Sequence, residues 1–209
     1  MRTRMVFVRH GESVHKTQGV VGGLRGCRGL TERGRAQAAS LAHRLAAEAA
    51  EWGAVSIYAS TLPRAIQTAE PIAEMLGVPV TTDCGLCTWH VPDHIDGVPV
   101  AELDERFGIS GGGVYRPFQV GNESWAELVT RSSRAMVDLA DRHRGETVVI
   151  VGHAETVNVT FHALGLLGVY RPFDLIVDDA SVTEWVTDDD PTQWPPARWA
   201  LMRFNFKIV

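Results

Sequence analysis

The sequence predicts a three-layer α/β/α sandwich with a mostly parallel central sheet and a small cap or insertion. Short apolar segments rich in β-formers alternate with longer segments whose apolar residues recur at helical spacing. Three of the short segments lead into arginine or histidine side chains, as expected where buried strands end at one edge of a parallel sheet. With 209 residues, 45% of them hydrophobic, the chain is expected to form one domain, residues 1–209, with a substantial core.

The predicted elements follow this alternation along the chain. Strands are predicted at residues 4–8, 54–59, 78–81, 147–151, 181–187 and 199–206, the last two as a hairpin. Helices are predicted at residues 31–52, 60–76, 99–107, 123–142 and 157–167. Thr31 is the expected N-cap of the first helix. Ser60 or Thr61 caps the second helix, and Gly77 ends it.

Two long segments lack a regular pattern. Residues 11–30 are rich in glycine and are predicted to form a loop with close backbone approaches. Residues 83–121 hold cysteines, histidines and aspartates around a short helical piece. We expect this second segment to be a cap over the carboxyl end of the sheet, where it would determine specificity.

Composition argues against several classes of function. The net charge is −5 and the isoelectric point is near 5.9, so no nucleic-acid partner is expected. No apolar run approaches the length of a membrane span, and the first residues lack a cleavable signal pattern, so we expect no membrane partner and a cytoplasmic location. Three cysteines do not make a disulfide framework. The assembly is left open, with a homodimer as one alternative.

The ends of three predicted strands carry the residues of a candidate anion site. The first strand ends in Arg9 and His10, the second leads to Arg64, and the strand at residues 147–151 leads to His153. Guanidinium groups bind phosphate oxygens bidentately, and the start of the helix carrying Arg64 adds partial positive charge. Nearby cations lower the pKa of a histidine, which leaves a ring nitrogen free to attack phosphorus. The pattern therefore predicts phosphoryl transfer through a phosphohistidine at His10.

Four segments of the chain resemble the histidine phosphatase superfamily, also called phosphoglycerate mutase-like. They are residues 8–13 (Val-Arg-His-Gly-Glu-Ser), 29–38, 59–69 and 149–153. The resemblance implies the same fold, a phosphorylated small molecule as substrate, and no metal or other cofactor. It implies that His10 is the nucleophile, that Arg9 and Arg64 bind phosphate, and that His153 completes the pocket. It also implies a substrate-contacting loop, with Ser13, Lys16, Gly22 and Gly23.

The position of the general acid departs from the pattern of the family. Thr88 stands where the family usually has the glutamate that protonates the leaving oxygen, and a threonine hydroxyl is too weakly acidic for that task. Asp93 is the first candidate to replace this glutamate. The other candidates are His90, His94, Asp96 and Glu155.

Two further positions differ from the family around the expected site. Glu155 lies two residues after His153, where glycine is common in the family, and it is also a candidate substrate contact. The competing interpretation of Glu155 is a first-turn carboxylate favoured by the helix dipole. Lys16 stands where the family has asparagine, so it either adds a cation for an anionic substrate or is a solvated lysine.

The cap segment also contains a set of residue types that zinc sites use. These are Cys84, Cys87, His90 and His94. The gap between the second cysteine and the first histidine is too short for an ordinary zinc finger, so two small buried cysteines and two cap histidines are favoured. A redox dithiol is favoured still less. Trp89, in the same segment, is a candidate wall of a hydrophobic substrate pocket.

These observations favour a phosphomonoester hydrolase that acts on a small-molecule phosphate through phospho-His10. A phosphomutase is the second interpretation within the same enzyme class. Because Thr88 replaces the usual acid, two others are kept: an anion-binding pseudo-enzyme, and a scaffold adapted to a different biosynthetic reaction.

Overall fold

The computed structural model describes residues 2–170, 173 and 175–207, and its centre is a six-stranded mixed sheet. The strands are β1 Thr3–Arg9, β2 Val55–Ala59, β3 Val80–Thr82, β4 Thr147–Gly152, β5 Ser181–Thr187 and β6 Ala200–Lys207. Their spatial order is β3-β2-β4-β1-β5-β6. The first four of these pair in parallel, whereas β5 runs antiparallel to β1 and to β6. The predicted parallel sheet with a terminal hairpin is therefore confirmed.

Helices cover both faces of the sheet. They are α1 Val14–Thr17, α2 Glu32–Ala49, α3 Pro63–Leu76, α4 Leu103–Phe107, α5 Trp125–Arg142 and α6 Ala154–Ala163. Alternate strand residues point to opposite faces. On β1, Val6 and Val8 pack with α2 and α3, while Met5 and Phe7 pack with α5 and α6. This alternation produces the predicted three-layer sandwich.

Helix boundaries follow local capping chemistry. The Thr31 side chain accepts a hydrogen bond from the Gly34 amide at 3.0 Å, so α2 begins where predicted. At the other end, α3 stops at Gly77, which adopts the left-handed conformation with φ 68°. The residue before α5, Ser124, forms a capping box with Glu127, so that helix begins at Trp125.

Several predicted boundaries need correction. The chain enters α3 from Leu62 without a side-chain cap, and Ser60 is used elsewhere. Helix α6 begins at Ala154, directly after β4, and ends at Ala163, so it starts and ends a few residues earlier than predicted. The segment predicted as a loop at residues 11–30 contains the short helix α1, and α2 ends at Ala49 rather than Trp52.

The segment at residues 83–121 packs against the glycine-rich loop that follows β1. Backbone hydrogen bonds join the Val21 amide to the Val98 carbonyl, at 2.9 Å, and the Val100 amide to the Gly19 carbonyl, at 2.8 Å. The segment contains α4 and two short 3₁₀ turns, Cys84–Leu86 and Val100–Glu102. Its role as a specificity element stays a prediction.

None of the helices in the described part of the chain combines the length and the apolar character needed to cross a membrane.

Candidate active site

The register of three parallel strands brings the predicted site residues to one edge of the sheet. In β1 and β4, Arg9 lies opposite Gly152, and in β2 and β4, Ala59 lies opposite Val151. The next residues therefore emerge side by side: the His10 amide donates to the Gly152 carbonyl at 2.9 Å, and the Ser60 amide donates to the Val151 carbonyl at 3.0 Å. The strand ends therefore place the backbones of three residues side by side: His10, Ser60 and His153.

His10 is held with one ring nitrogen available for chemistry. It is 4% exposed, and its Nδ1 lies 2.7 Å from the Gly11 carbonyl oxygen. A carbonyl only accepts hydrogen bonds, so Nδ1 carries the proton and Nε2 keeps its lone pair. Burial first, and then the Arg64 guanidinium, hold the pKa of His10 well below its ordinary value. His10 is therefore neutral near pH 7, as a nucleophile must be.

Gly11 gives the backbone the room to make this turn. A Cβ atom at Gly11 would lie 2.5 Å from the Gly34 carbonyl oxygen in the first turn of α2. The Gly11 amide donates to the Thr68 hydroxyl on α3 at 3.1 Å. The turn is thus fixed against both α2 and α3, and any larger residue would displace His10.

Arg64, in the first turn of α3, lies directly beside His10. It is 3% exposed; its Nε donates to His10 Nε2 at 3.2 Å, and its Nη1 donates to the Gly22 carbonyl at 2.7 Å. The Arg64 side chain therefore connects His10 to the glycine-rich loop. A phosphate bound at His10 would lie within reach of a guanidinium that is already oriented.

His153 faces His10 across the site. It is 1% exposed, and the two ring centroids are 5.2 Å apart in an edge-on arrangement. His153 Nε2 lies 2.8 Å from the Ser60 hydroxyl oxygen, while its buried Nδ1 has no hydrogen-bond partner among the described residues. Burial, followed by the charge of Arg64, holds the pKa of His153 well below its ordinary value.

Arg9 is paired with a carboxylate that the sequence reasoning missed. Arg9 Nη2 lies 3.1 Å from Asp179 Oδ1, and Lys16 Nζ lies 2.7 Å from Asp179 Oδ2. Arg9 also donates to the Val177 carbonyl. Asp179 lies just before β5, and the acidic pair at residues 178–179 was the only signal for it in the sequence. We call Arg9, His10, Arg64 and His153 the anion site. Within it, Asp179 is the counter-ion of Arg9.

The predicted substrate-loop residues lie in different settings around this site. Ser13 is fully buried, and its hydroxyl has no hydrogen-bond partner among the described residues. Lys16 is exposed and contacts Asp179. Gly22 contributes its carbonyl to Arg64, and the Gly23 amide donates to Asp96 at 2.8 Å. Of the four, Gly22 therefore contacts the anion site directly.

Thr88 and Glu155 meet at the position where the family carries its acid. The Thr88 hydroxyl donates to Glu155 Oε2 at 2.9 Å, and Thr88 is buried. The preceding residue, Cys87, lies 3.2 Å from the Ser60 hydroxyl, which in turn contacts His153. The Glu155 carboxylate, on α6, therefore lies where the family usually has its glutamate. The contacts of Cys87 with Ser60, and of Ser60 with His153, connect this position to the anion site.

Asp93, the first candidate for the acid, lies elsewhere. Its side chain is 91% exposed and lies 3.8 Å from Arg25. The backbone turn at residues 92–96 directs it into solvent, so the structure does not support the choice of Asp93. Asp96 is a structural carboxylate, because it accepts hydrogen bonds from the amides of Gly23 and Arg25, at 2.8 and 2.6 Å.

Of the four zinc-type residues of the cap segment, Cys84, Cys87 and His90 line one cavity, whereas His94 lies apart from them. Cys84 Sγ lies 3.3 Å from His90 Nε2, but Cys87 contacts the hydroxyls of Ser60 and Thr61, and His94 contacts the Val120 carbonyl. Cys87 is buried as expected, whereas Cys84 is exposed. Within the described ranges, no group of three or more His, Cys, Asp or Glu side chains is placed to hold a metal ion.

His15 is a further imidazole near the site that the sequence reasoning missed. Its ring centroid is 6.5 Å from that of His10, and its buried Nδ1 has no hydrogen-bond partner in the described structure. Burial first, and then the charges of Arg64 and Arg9, lower the pKa of His15 to about 4. The only signal for it in the sequence was its position five residues after His10.

Acidification should destabilise the protein through these three histidines. Their pKa values are lowered in the folded state, so the unfolded chain takes up protons first as the pH falls below 6.5. The stabilising contribution of each is fully present above pH 6.5: that of His15 should be lost between pH 6.5 and about 4, and those of His10 and His153 as the pH falls towards their own lowered pKa values. Each fully buried histidine contributes at most about 1.4 kcal/mol per pH unit. Urea unfolding at pH 7, 6 and 5 measures this loss.

The variant His15→Gln tests whether His15 contributes to this loss of stability at low pH. Because His15 is half-buried, solvent screening makes its share smaller. The variant should lose less stability than the wild type between pH 6.5 and 5. Equal losses in the two proteins would contradict the assignment of His15.

A doubly wound sheet with a neutral histidine, a second buried histidine and two arginines at its carboxyl edge defines a site for phosphoryl transfer. The sequence profile of the histidine phosphatase superfamily (branch 1) matches residues 5–200. The chain therefore belongs to the histidine phosphatase superfamily, and it is a phosphatase-type enzyme of that family.

Individual relatives agree with this assignment. A metal-independent phosphoserine phosphatase from Arabidopsis thaliana is 31% identical over 167 residues, which span 76% of this chain and 67% of that protein. Phosphoserine phosphatase 1 from Hydrogenobacter thermophilus is 32% identical over 172 residues, or 79% of this chain and 77% of that protein. A mycobacterial glucosyl-3-phosphoglycerate phosphatase superposes with a TM-score of 0.80 at 26% identity, covering 98% of this chain and 99% of that one.

Proposed function

We propose that this protein hydrolyses phosphomonoesters of small molecules through a phosphohistidine at His10. The observation that carries the proposal is the state of the His10 ring. Its Nδ1 proton is bound by the Gly11 carbonyl and its pKa is lowered, so Nε2 presents a lone pair beside Arg64. A nitrogen lone pair next to a guanidinium is suited to attack the phosphorus of a bound anion.

In the first step, His10 Nε2 forms a bond to phosphorus while the bond from phosphorus to the ester oxygen breaks. The non-bridging oxygens are stabilised by Arg64, which exchanges its hydrogen bond to His10 for one to phosphate, and by Arg9. When the Ser60 hydroxyl donates a hydrogen bond to His153 Nε2, the proton of His153 lies on Nδ1, and this Nδ1–H is free to donate to the same oxygens. The departing alkoxide takes a proton from the carboxyl group of Glu155.

In the second step, water attacks the phosphohistidine. The Glu155 carboxylate accepts a proton from this water as the new bond to phosphorus forms, and the bond from phosphorus to His10 breaks. Inorganic phosphate leaves, and both His10 and Glu155 return to their starting states. The balance is one ester and one water consumed, with one alcohol and one phosphate formed.

Glu155 is preferred to Asp93 as the acid and base because of its position. The Thr88 hydroxyl fixes one carboxylate oxygen, which leaves the other free to exchange a proton. Asp93 lies in solvent beside Arg25. Thr88 therefore acts as a positioning residue for an acid supplied by a different element of the fold.

Hydrolysis of simple esters tests the proposed function. The purified protein is expected to release alcohol and inorganic phosphate in a one-to-one ratio from both p-nitrophenyl phosphate and hexyl phosphate. Activity on the aryl ester alone would mean that no acid assists departure of the alkoxide. Phosphate binding without turnover of either ester would overturn the proposal in favour of an anion-binding module.

The cellular setting and the assembly are part of the same proposal. The three cysteines are free thiols, which supports a reducing compartment such as the cytoplasm. A homodimer stays a prediction, and sedimentation of the purified protein would test it.

A further inference from the structure

A cavity of about 280 Å³ opens beside the anion site, between the glycine-rich loop and the cap segment. We call it the side cavity, and it is lined by Gly23, Leu24, Thr61, Leu62, Cys84, Cys87, Trp89, His90 and Val91. Its walls come from three separate parts of the chain that converge at the carboxyl edge of the sheet. The shape of the cavity is therefore determined by how these three segments pack together.

Two walls of the side cavity adjoin residues that contact the anion site. Gly23 follows Gly22, whose carbonyl accepts the hydrogen bond from Arg64. Thr61 follows Ser60, and the Cys87 thiol lies 3.2 Å from both of their hydroxyls. A phosphate ester bound at His10 thus has this cavity within reach of its leaving group.

The lining is mostly apolar, and its polar side chains are the Thr61 hydroxyl, the His90 imidazole and the thiols of Cys84 and Cys87. None of the nine described residues around the side cavity is an aspartate, glutamate, lysine or arginine. Among the charged residues close in sequence or contact to this lining, Arg131 pairs with Glu123 at 2.6 Å, and Arg25 lies 3.8 Å from Asp93 in solvent. A leaving group that carries an ammonium or a carboxylate would lose part of its hydration there, and none of the nine lining residues is an aspartate, glutamate, lysine or arginine that could form an ion pair with it.

The indole of Trp89 gives this cavity a rigid wall. Its ring lies 6.0 Å from that of Trp125 and 6.1 Å from that of Phe118. Arg131 donates to the Cys87 and Thr88 carbonyls, at 3.2 and 3.0 Å, which fixes the backbone before Trp89. The wall is therefore ordered by contacts within the protein, as a preformed binding surface requires.

We propose that the side cavity binds the alcohol portion of the substrate and that this portion is an apolar alkyl or aryl group. The inference rests on the proposed function, because it assigns the substrate class of the same site. The cap contributes Trp89 as the contact surface, and Thr88, one residue earlier, orients Glu155 towards the departing oxygen. Trp89 would thus select the substrate, and its neighbour Thr88 would position the acid that protonates the leaving group.

A series of linear alkyl phosphates tests the proposal. Ethyl, butyl, hexyl and octyl alcohols are similarly weak acids, so the need for protonation is constant along the series. We expect kcat/KM to rise by about fourfold for each buried methylene and to level off once the chain outgrows the cavity. Phosphoserine, of comparable length to the shorter esters but charged, is expected to be a poor substrate.

A rim variant separates this proposal from its alternatives. Leu24 lines the cavity and is 72% exposed, so Leu24→Ser does not threaten the fold. It should lower the ratio of kcat/KM for hexyl over ethyl phosphate several-fold. Met202→Ser, at a 58% exposed position on β6, is the matched control and should leave the ratio unchanged.

The outcomes distinguish the two proposals. A flat alkyl series, or a preference for phosphoserine over hexyl phosphate, would overturn the apolar cavity while leaving hydrolysis through His10 in place. An unchanged ratio in Leu24→Ser would likewise overturn it. If no ester is hydrolysed, including p-nitrophenyl phosphate, both proposals fall together.

Discussion

Replacing His10 by alanine is expected to abolish hydrolysis of alkyl and aryl phosphates alike, with kcat/KM lower by at least about 10⁴-fold. In the proposed mechanism His10 Nε2 is the atom that forms the bond to phosphorus, so even a leaving group that needs no proton cannot restore the reaction. The wild type, mixed briefly with radiolabelled substrate and denatured, should carry a phosphoryl label that is labile in acid and stable in alkali. His10→Ala should carry none.

Two controls make this result specific. His43→Ala removes an exposed imidazole from α2 and should retain both the label and the activity. Calorimetric binding of inorganic phosphate to His10→Ala should persist, because Arg9 and Arg64 remain. A label that survives in His10→Ala would refute the assignment of the nucleophile.

The convergence of His10, Arg64 and His153 could be predicted from the sequence because their placement follows a local rule. Each comes at or soon after the end of an apolar strand, and parallel strands end at one edge of a sheet. The observed register places His10 and His153 one residue beyond paired strand positions, and Arg64 on the helix that follows β2. Strand ends and their order were sufficient for these three residues.

The carboxylate that contacts Thr88 could not be predicted in the same way. Asp93 is five residues from Thr88 and Glu155 is 67 residues away, so sequence proximity favoured Asp93. Which carboxylate reaches Thr88 depends on how the cap segment packs against the start of α6, and that packing is a long-range contact. The pairing of Arg9 with Asp179, 170 residues later, is hidden for the same reason.

Ser60 lies next to a helix start, as predicted, but its hydroxyl does not cap the helix. Its hydroxyl has the chemistry of an N-cap, and it stands just before α3. In the structure the hydroxyl contacts His153 and Cys87 and accepts a hydrogen bond from the Leu62 amide at 3.3 Å, just before the helix, while Pro63 starts the helix without a side-chain cap. The competing partners come from β4 and the cap segment, which local capping rules do not consider.

Glu155→Gln is the variant expected to separate protonation of the leaving group from nucleophilic attack. The glutamine amide oxygen can still accept the Thr88 hydrogen bond, so the local structure is retained, but the carboxyl proton is lost. Hydrolysis of hexyl phosphate should fall by about 10²–10⁴-fold in kcat/KM. With p-nitrophenyl phosphate the first turnover should stay fast, because nitrophenolate departs without a proton. Rapid mixing should therefore show a burst of nitrophenolate, followed by slow turnover as phospho-His10 awaits an activated water.

Asp93→Asn is the matched control, since it removes the same functional group from the solvent-exposed position. It should leave turnover of both esters unchanged. The reverse pattern, with hexyl phosphate hydrolysis lost in Asp93→Asn and kept in Glu155→Gln, would identify Asp93 as the acid and would require the cap segment to move over the site. Equal losses of first turnover on the two esters in Glu155→Gln would instead show that Glu155 supports attack or binding. A large loss with hexyl phosphate and a small loss of first turnover with p-nitrophenyl phosphate is the one result that fits the proposal. It would mean that Glu155, on α6, transfers the proton that in the family usually comes from a glutamate at the position of Thr88.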